Sequence, residues 1–418
     1  MLKKTLLLIF WIYLFTNYTR AQVNQQLAQE YFKEAQSLCE KDNGQLWGVP
    51  ICGSMVIYDR QTKTIATSKA EPNTPRPNLL GLLNAPIQWG GETWIAYMWS
   101  DVVNRKPRER KELFLHEMFH SVQPQLKLGA AAGTPEHLDA KDGRYWMRLE
   151  WKALEQALKQ SGKRRKIALA DALAFRKARR TIFKANLEDE RGQEITEGLA
   201  AYTGTKLAAE TNAEALRSAI DLLIGAEATA AEASFVRTFA YVSGPAYCVL
   251  LDEVSPNWRK TLLNTDDFGY LLMKSLKIKP YNDANKVAQK YGSKEILLSE
   301  EKREKERQDL VNDLHKKFVD GPLLIFPSGN HSFDSRGAVS LQSVGTIYFG
   351  PFRASGPWGK LEAEKGVLVT TDGSSRRVAV PIKQDNSTYN GDGWTLKINE
   401  GWQVKEENKK GTYILEKK

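Results

Sequence analysis

Residues 116–120 of this 418-residue chain read His-Glu-Met-Phe-His. On an α-helix two histidines four apart stack one turn above the other on a single face. That spacing lets both imidazoles hold one zinc ion, and Glu117, one position on, stands beside the metal rather than on it. From there it can take a proton from a zinc-activated water. The flanking residues of 113–122 are apolar on nearly every other side, so the helix should be buried with its His/Glu edge facing a cavity. Polar groups concentrated on a buried helix need compensation, and a metal supplies it. The chain has only five histidines, two of which fall here. The competing reading, a chance match, leaves Glu117 without a purpose.

A catalytic zinc needs a third protein ligand. Residues 194–204, Glu-Ile-Thr-Glu-Gly-Leu-Ala-Ala-Tyr-Thr-Gly, offer one. On a helix Glu194, Glu197, Ala201 and Gly204 share a face, with Gly198 adjoining it. Small residues there would let Glu197 come close to the motif helix. The ordinary alternative, acids favoured near a helix start by its dipole, suits Glu194 better than Glu197. Glu150 is a further candidate, because it interrupts the apolar stripe of Trp146, Leu149, Ala153, Leu154 and Ala157. A carboxylate on such a stripe is a ligand, a partner to a ligand, or half of a salt bridge to Arg148 or Arg176.

Together the two segments resemble the gluzincin metallopeptidases, the thermolysin and aminopeptidase N superfamily. In those enzymes H-E-x-x-H supplies two ligands and a Glu on a later helix, commonly in N-E-G-[FL]-A, the third. Thr196-Glu-Gly-Leu-Ala200 matches apart from its first residue. The resemblance covers roughly residues 113–123 and 193–204. It implies Zn2+ held by His116, His120 and Glu197, with Glu117 as general base. Three departures stand out. His120 and Glu197 lie 77 residues apart, so a helical insertion must fold out and return. There is no G-x-M-x-N exopeptidase motif. Position 201 is Ala where thermolysin-like enzymes carry an Asp that orients a ligand, leaving Glu194 or Glu150 to substitute. A metzincin would need a His shortly after His120, and the next is His137. A zinc peptidase also needs a group to stabilise the oxyanion. Tyr241 is the preferred candidate, one turn from Arg237, with Tyr202 and His137 as alternatives.

The rest of the chain must position these groups. The fold class expected is α+β. Residues 1–21 read as a signal peptide, with Lys3 and Lys4 before a short apolar run. Residues 22–319 form a zincin-like domain, strand-containing over 22–100 and mainly helical over 101–319. Residues 320–418 form an all-β sandwich or small barrel. A helix is expected at 24–40 and a hairpin at 49–58 and 64–68. Strand 90–100 should arrive just before the motif helix, as a sheet edge on which a peptide could add. The helix at 300–318 should pack on the catalytic domain. Trp358, Trp394 and Trp402 read as β-domain core, with ligand binding as the alternative. Cys39 and Cys52 can pair in an oxidising compartment, whereas Cys248 reads as a buried apolar residue.

The net charge of +10 is modest for this length, and the basic runs at 163–166 and 176–180 read as solvated helix faces. No recognition motif accompanies them, so nucleic acid is not an expected partner. Beyond the signal, no apolar run is long enough to cross a membrane. The expectation is an exported zinc-dependent peptidase acting on peptide or protein substrates. The alternative is a non-catalytic binding protein with a relic or structural zinc site and a ligand-binding β domain. An intact Glu117 favours catalysis, since a structural site needs no base.

Overall fold

A computed structural model describes residues 22–79, 84–128, 133–263, 265–333, 338–341, 343–380, 382–407 and 411–418. The expected signal peptide lies outside the described residues. The architecture is α+β: strands near the N-terminus, a helical middle and a C-terminal all-β region. The chain divides into two compact units between Lys294 and Glu295.

The first unit opens with α1 (Gln25–Asp42), capped by Asn24, whose side chain accepts from the Leu27 N–H. A disulfide joins Cys39 at the end of α1 to Cys52, with Cα atoms 5.3 Å apart, and Cys248 is free and buried. Strands β1 (Ser54–Tyr58) and β2 (Ile65–Thr67) form the expected hairpin. Asp59 shapes its turn by accepting from the Gln61 and Thr62 N–H groups.

Strands β3 (Ala85–Trp89) and β4 (Glu92–Met98) form a second hairpin turning at Gly90-Gly91. The sheet order is β2-β1-β4-β3, with β1 and β4 parallel. The expected edge strand is therefore corrected. β4 is interior, paired on both sides, and the terminal strands of the described sheet are β2 and β3. A hairpin partner so close in sequence takes β4's open side before any other chain can.

After α2 (Trp99–Val103) comes the motif helix α3 (Pro107–Val122). Pro107 suits its first turn, where a missing N–H costs nothing, and Pro124 lies in the 3-10 turn that ends it. Helix α3 packs on β4 through Tyr97, whose hydroxyl donates to the Phe114 carbonyl at 2.9 Å. Helices α4 (Lys141–Lys159) and α5 (Gly162–Ile182) pack on one another and form the excursion between the two halves of the motif. The chain returns through α6 (Leu187–Gln193), a π-helical turn (Glu194–Gly198) and α7 (Leu199–Leu207), which succeed one another without a break. Helix α8 (Asn212–Ala228) and α9 (Phe239–Val254) complete the surroundings of α7.

The second unit holds nearly all of the helix Ser293–His315. The expected boundary at 319/320 thus moves upstream. Leu314 and Phe318 lie in one apolar cluster with Leu341, Ile347, Leu368 and Ala379 of the β region, so the burial of that stripe ties the helix to the later strands. Sheets of six and seven described strands share a core containing Phe326, Phe352, Trp358, Leu361, Trp394 and Leu415. This is the sandwich alternative. Trp358 and Trp394 are buried in that core and Trp402 packs against it, as the core reading expects. No described helix is long and apolar enough to cross a membrane.

Candidate metal centre

Helix α3 buries Leu113, Phe114, Leu115, Met118, Phe119 and Val122, which fixes its rotation and leaves His116 and His120 on one edge. Helix α7 comes close to it because Gly204 carries no side chain. A Cβ at that position would stand 2.5 Å from the Glu112 carbonyl oxygen. On its other side, Gly198 and Gly244 bring the π-turn and α9 into backbone contact, since a Cβ on Gly244 would meet the Gly198 Cα at 2.4 Å. The small-residue face therefore serves two neighbours: Gly204 admits the motif helix and Gly198 admits α9.

These approaches gather His116, His120 and Glu197. The Glu197 Oε2 lies 3.4 Å from His116 Nε2 and 3.5 Å from His120 Nε2. The two Nε2 atoms are 3.1 Å apart. Two ligands bound at about 2.0–2.1 Å to one tetrahedral zinc would stand about 3.3–3.4 Å apart, and the observed separations bracket that value. Two imidazole nitrogens and one carboxylate oxygen, with no lysine or arginine paired to Glu197 among the described residues, fit zinc.

Glu117 is buried beside this cluster. Burial raises its pKa, opposed by the nearby imidazoles and reinforced by the Glu197 charge. Tyr241 donates its hydroxyl to Glu197 Oε2 at 2.5 Å, and its ring stacks on His116 with centroids 5.2 Å apart and planes at 10°. Burial and then the Glu197 charge push the phenol pKa far up, so Tyr241 is a neutral donor. Burial disfavours the Glu197 anion, but hydrogen bonds from His116, His120 and Tyr241 outweigh it and hold its pKa far down. Burial likewise opposes a charged His120, and the hydrogen bond and charge of Glu197 override it, raising that pKa.

The other candidates lie elsewhere. His137 Nε2 is 2.7 Å from Glu190, and Tyr202 donates to Asp252 at 2.8 Å, so both are committed to partners outside the cluster. Glu150 and Glu194 are fully buried and take the salt-bridge alternative. Arg176 meets Glu150 at 3.2 Å and Glu194 at 2.7 and 2.5 Å, while Arg179 bonds Glu150 and meets Glu190 at 2.9 Å. Tyr247 donates to Glu150 at 2.7 Å. Neither acid contacts a motif histidine, so the suggested substitutes for the missing Asp do not fill that place. The basic run 176–180 is corrected as well. Arg176 and Arg179 are buried rather than solvated, because four acids (Glu150, Glu190, Glu194 and Asp267) need their charge.

One contact has no counterpart in the sequence pattern. Gln123 receives His120 Nδ1 at 3.0 Å on its Oε1 and donates through Nε2 to the Ile195 carbonyl at 3.0 Å. A glutamine three residues past a histidine at a helix end carries no motif, though that spacing does allow the contact. No family model, curated protein or solved structure matches the chain.

Proposed function

We propose that this chain is an exported zinc-dependent peptidase of the gluzincin kind, with the ion held by His116, His120 and Glu197. The observation that carries the reading is the convergence of their three ligand atoms within 4.8 Å, with a buried Glu117 alongside and a Tyr241 hydroxyl on the same carboxylate. A zinc ion in such a set supplies a Lewis acid that polarises a carbonyl and makes water acidic. The chain's own residues do the rest. The Glu117 carboxylate takes a proton from the attacking water and returns it to the departing amine nitrogen, and its burial makes it the stronger base. The Tyr241 hydroxyl, which donates to Glu197 at rest, turns its one proton to the carbonyl oxygen as negative charge develops there. The sheet edge nearest the motif helix, and so the one offered to an extended peptide, is that of the terminal strand β3. The Cys39–Cys52 disulfide supports export to an oxidising compartment.

The test is Glu117→Gln in the mature chain. Metal analysis should give about one zinc per chain for wild type and variant alike, since the three ligands survive. Hydrolysis of a mixed peptide library should fall about 10²–10⁴-fold. Undiminished hydrolysis in the variant, or a wild-type chain with no transition metal, would sink the reading.

A further inference from the structure

The amide of Gln123 has chemically distinct ends, one that only accepts and one that only donates. The Ile195 carbonyl can only accept, so the end 3.0 Å from it is Nε2, and Oε1 is left facing His120 Nδ1. Oε1 in turn only accepts. Once the charged ring has given up the Nε2 proton that it donates to Glu197, the neutral His120 ring therefore keeps its proton on Nδ1 and presents the Nε2 lone pair to His116 Nε2.

The carbonyl held at the other end has a definite origin. In an uninterrupted α-helix the Leu199 N–H would serve the carbonyl four residues back, that of Ile195. Here it bonds to Glu194 O, five residues back, which is the π-helical spacing. The Nε2 of Gln123 fills the acceptor thus bypassed, two residues before Glu197. The extra residue in that turn also rotates Glu197 and α7 relative to α6. Glu194 consequently faces Arg176 while Glu197 faces the histidines.

We propose that Gln123 is the positioning residue of the metal site: one end of its amide fixes the tautomer of His120, and the other holds the π-turn that aims Glu197. The inference rests on reading His116, His120 and Glu197 as one metal site. These two tasks explain why the residue is glutamine. Glutamate could accept from Nδ1 but could not donate to Ile195, and asparagine is one methylene shorter.

The experiment compares Gln123→Ala and Gln123→Glu with wild type in the full mature chain, using two readouts. In metal-free protein labelled with 15N-histidine, at a pH above imidazole titration, wild-type His120 should show the Nδ1–H tautomer. Gln123→Ala should give a mixture, and Gln123→Glu should restore the wild-type form. Zinc affinity by chelator competition should fall about 10–100-fold in Gln123→Ala and recover only in part in Gln123→Glu. Wild-type tautomer and affinity in Gln123→Ala would overturn the proposal. Full recovery of affinity in Gln123→Glu would overturn its π-turn half. Should Gln123→Ala fail to fold, the glutamate variant decides on both readouts. A wild-type chain that binds no zinc would instead sink the metal reading, while the tautomer measurement still reports whether Gln123 holds His120.

Discussion

Glu194 and Glu197 stand three residues apart on one helical stretch and meet opposite surroundings. Glu194 is fully buried and bonded by Arg176 at two points, inside a network where Glu150, Glu190 and Asp267 also find arginines. Glu197 is partly buried and meets two imidazoles and a phenol. In the first cluster every one of the four carboxylates already meets an arginine. The second brings three metal-binding atoms to one point, and among the described residues no lysine or arginine is paired with its carboxylate. A buried acid is therefore not by itself a sign of a metal; what separates the two cases is whether an arginine is already there.

Substitution should set the two clusters apart, and acid should weaken the closed one. The largest effect belongs to the closed cluster. Arg179 is fully buried between Glu150 and Glu190, so Arg179→Met strands carboxylates in the interior and should cost about 3–5 kcal/mol. Urea denaturation of metal-free protein measures this, and an unmoved midpoint would contradict the contrast.

Acid is the next lever. Burial works against the Asp267 carboxylate, but Arg176 and Arg180 outweigh it and hold its pKa down to about 2 from an ordinary 3.8. Arg179 and hydrogen bonds from His137 hold Glu190 well down in the same way, against burial. A folded pKa below the unfolded one gives stability that is complete above about pH 4 and drains away as the pH falls towards 2. For Asp267 that amounts to about 2 kcal/mol. Denaturation midpoints at pH 7 and 5 should nearly coincide and the midpoint at pH 3 should lie below both, and Asp267→Asn should flatten that fall.

The smallest effect on stability should come from the open cluster. Glu197→Gln keeps an acceptor for Tyr241 and removes a charge that no arginine shares among the described residues, so metal-free stability should fall by clearly less than in Arg179→Met. A loss as large as that of Arg179→Met would mean that Glu197 is structural.

Much of this was legible in the sequence because it rests on short-range rules. The i, i+4 histidines, the apolar faces of α3, the Cys39–Cys52 pair and the change of texture towards Gly-punctuated strands all arise from local pattern. The small residues around Glu197 pointed correctly to close helix approach. What escaped depends on partners distant in sequence or on irregular backbone. Strand β3 contains Pro86 and is too short to signal itself. The arginines of 176–180 look solvated until Glu150, Glu190 and Glu194 are brought against them. The π-turn leaves no mark in composition, and without it the role of Gln123 cannot be read. The helix Ser293–His315 has so thin an apolar stripe that its side of the boundary is decided by Leu314 and Phe318 meeting strands yet to come.

The most direct test of the contrast is zinc affinity, measured by chelator competition, in Glu150→Gln, Glu194→Gln and Glu197→Gln. Removal of a ligand should strip most of the metal, so Glu197→Gln should be by far the weakest binder. The other two should bind like wild type to the extent that they remain folded. If Glu150→Gln or Glu194→Gln loses the zinc while Glu197→Gln keeps it, the third ligand is misassigned and the resemblance to gluzincins falls with it.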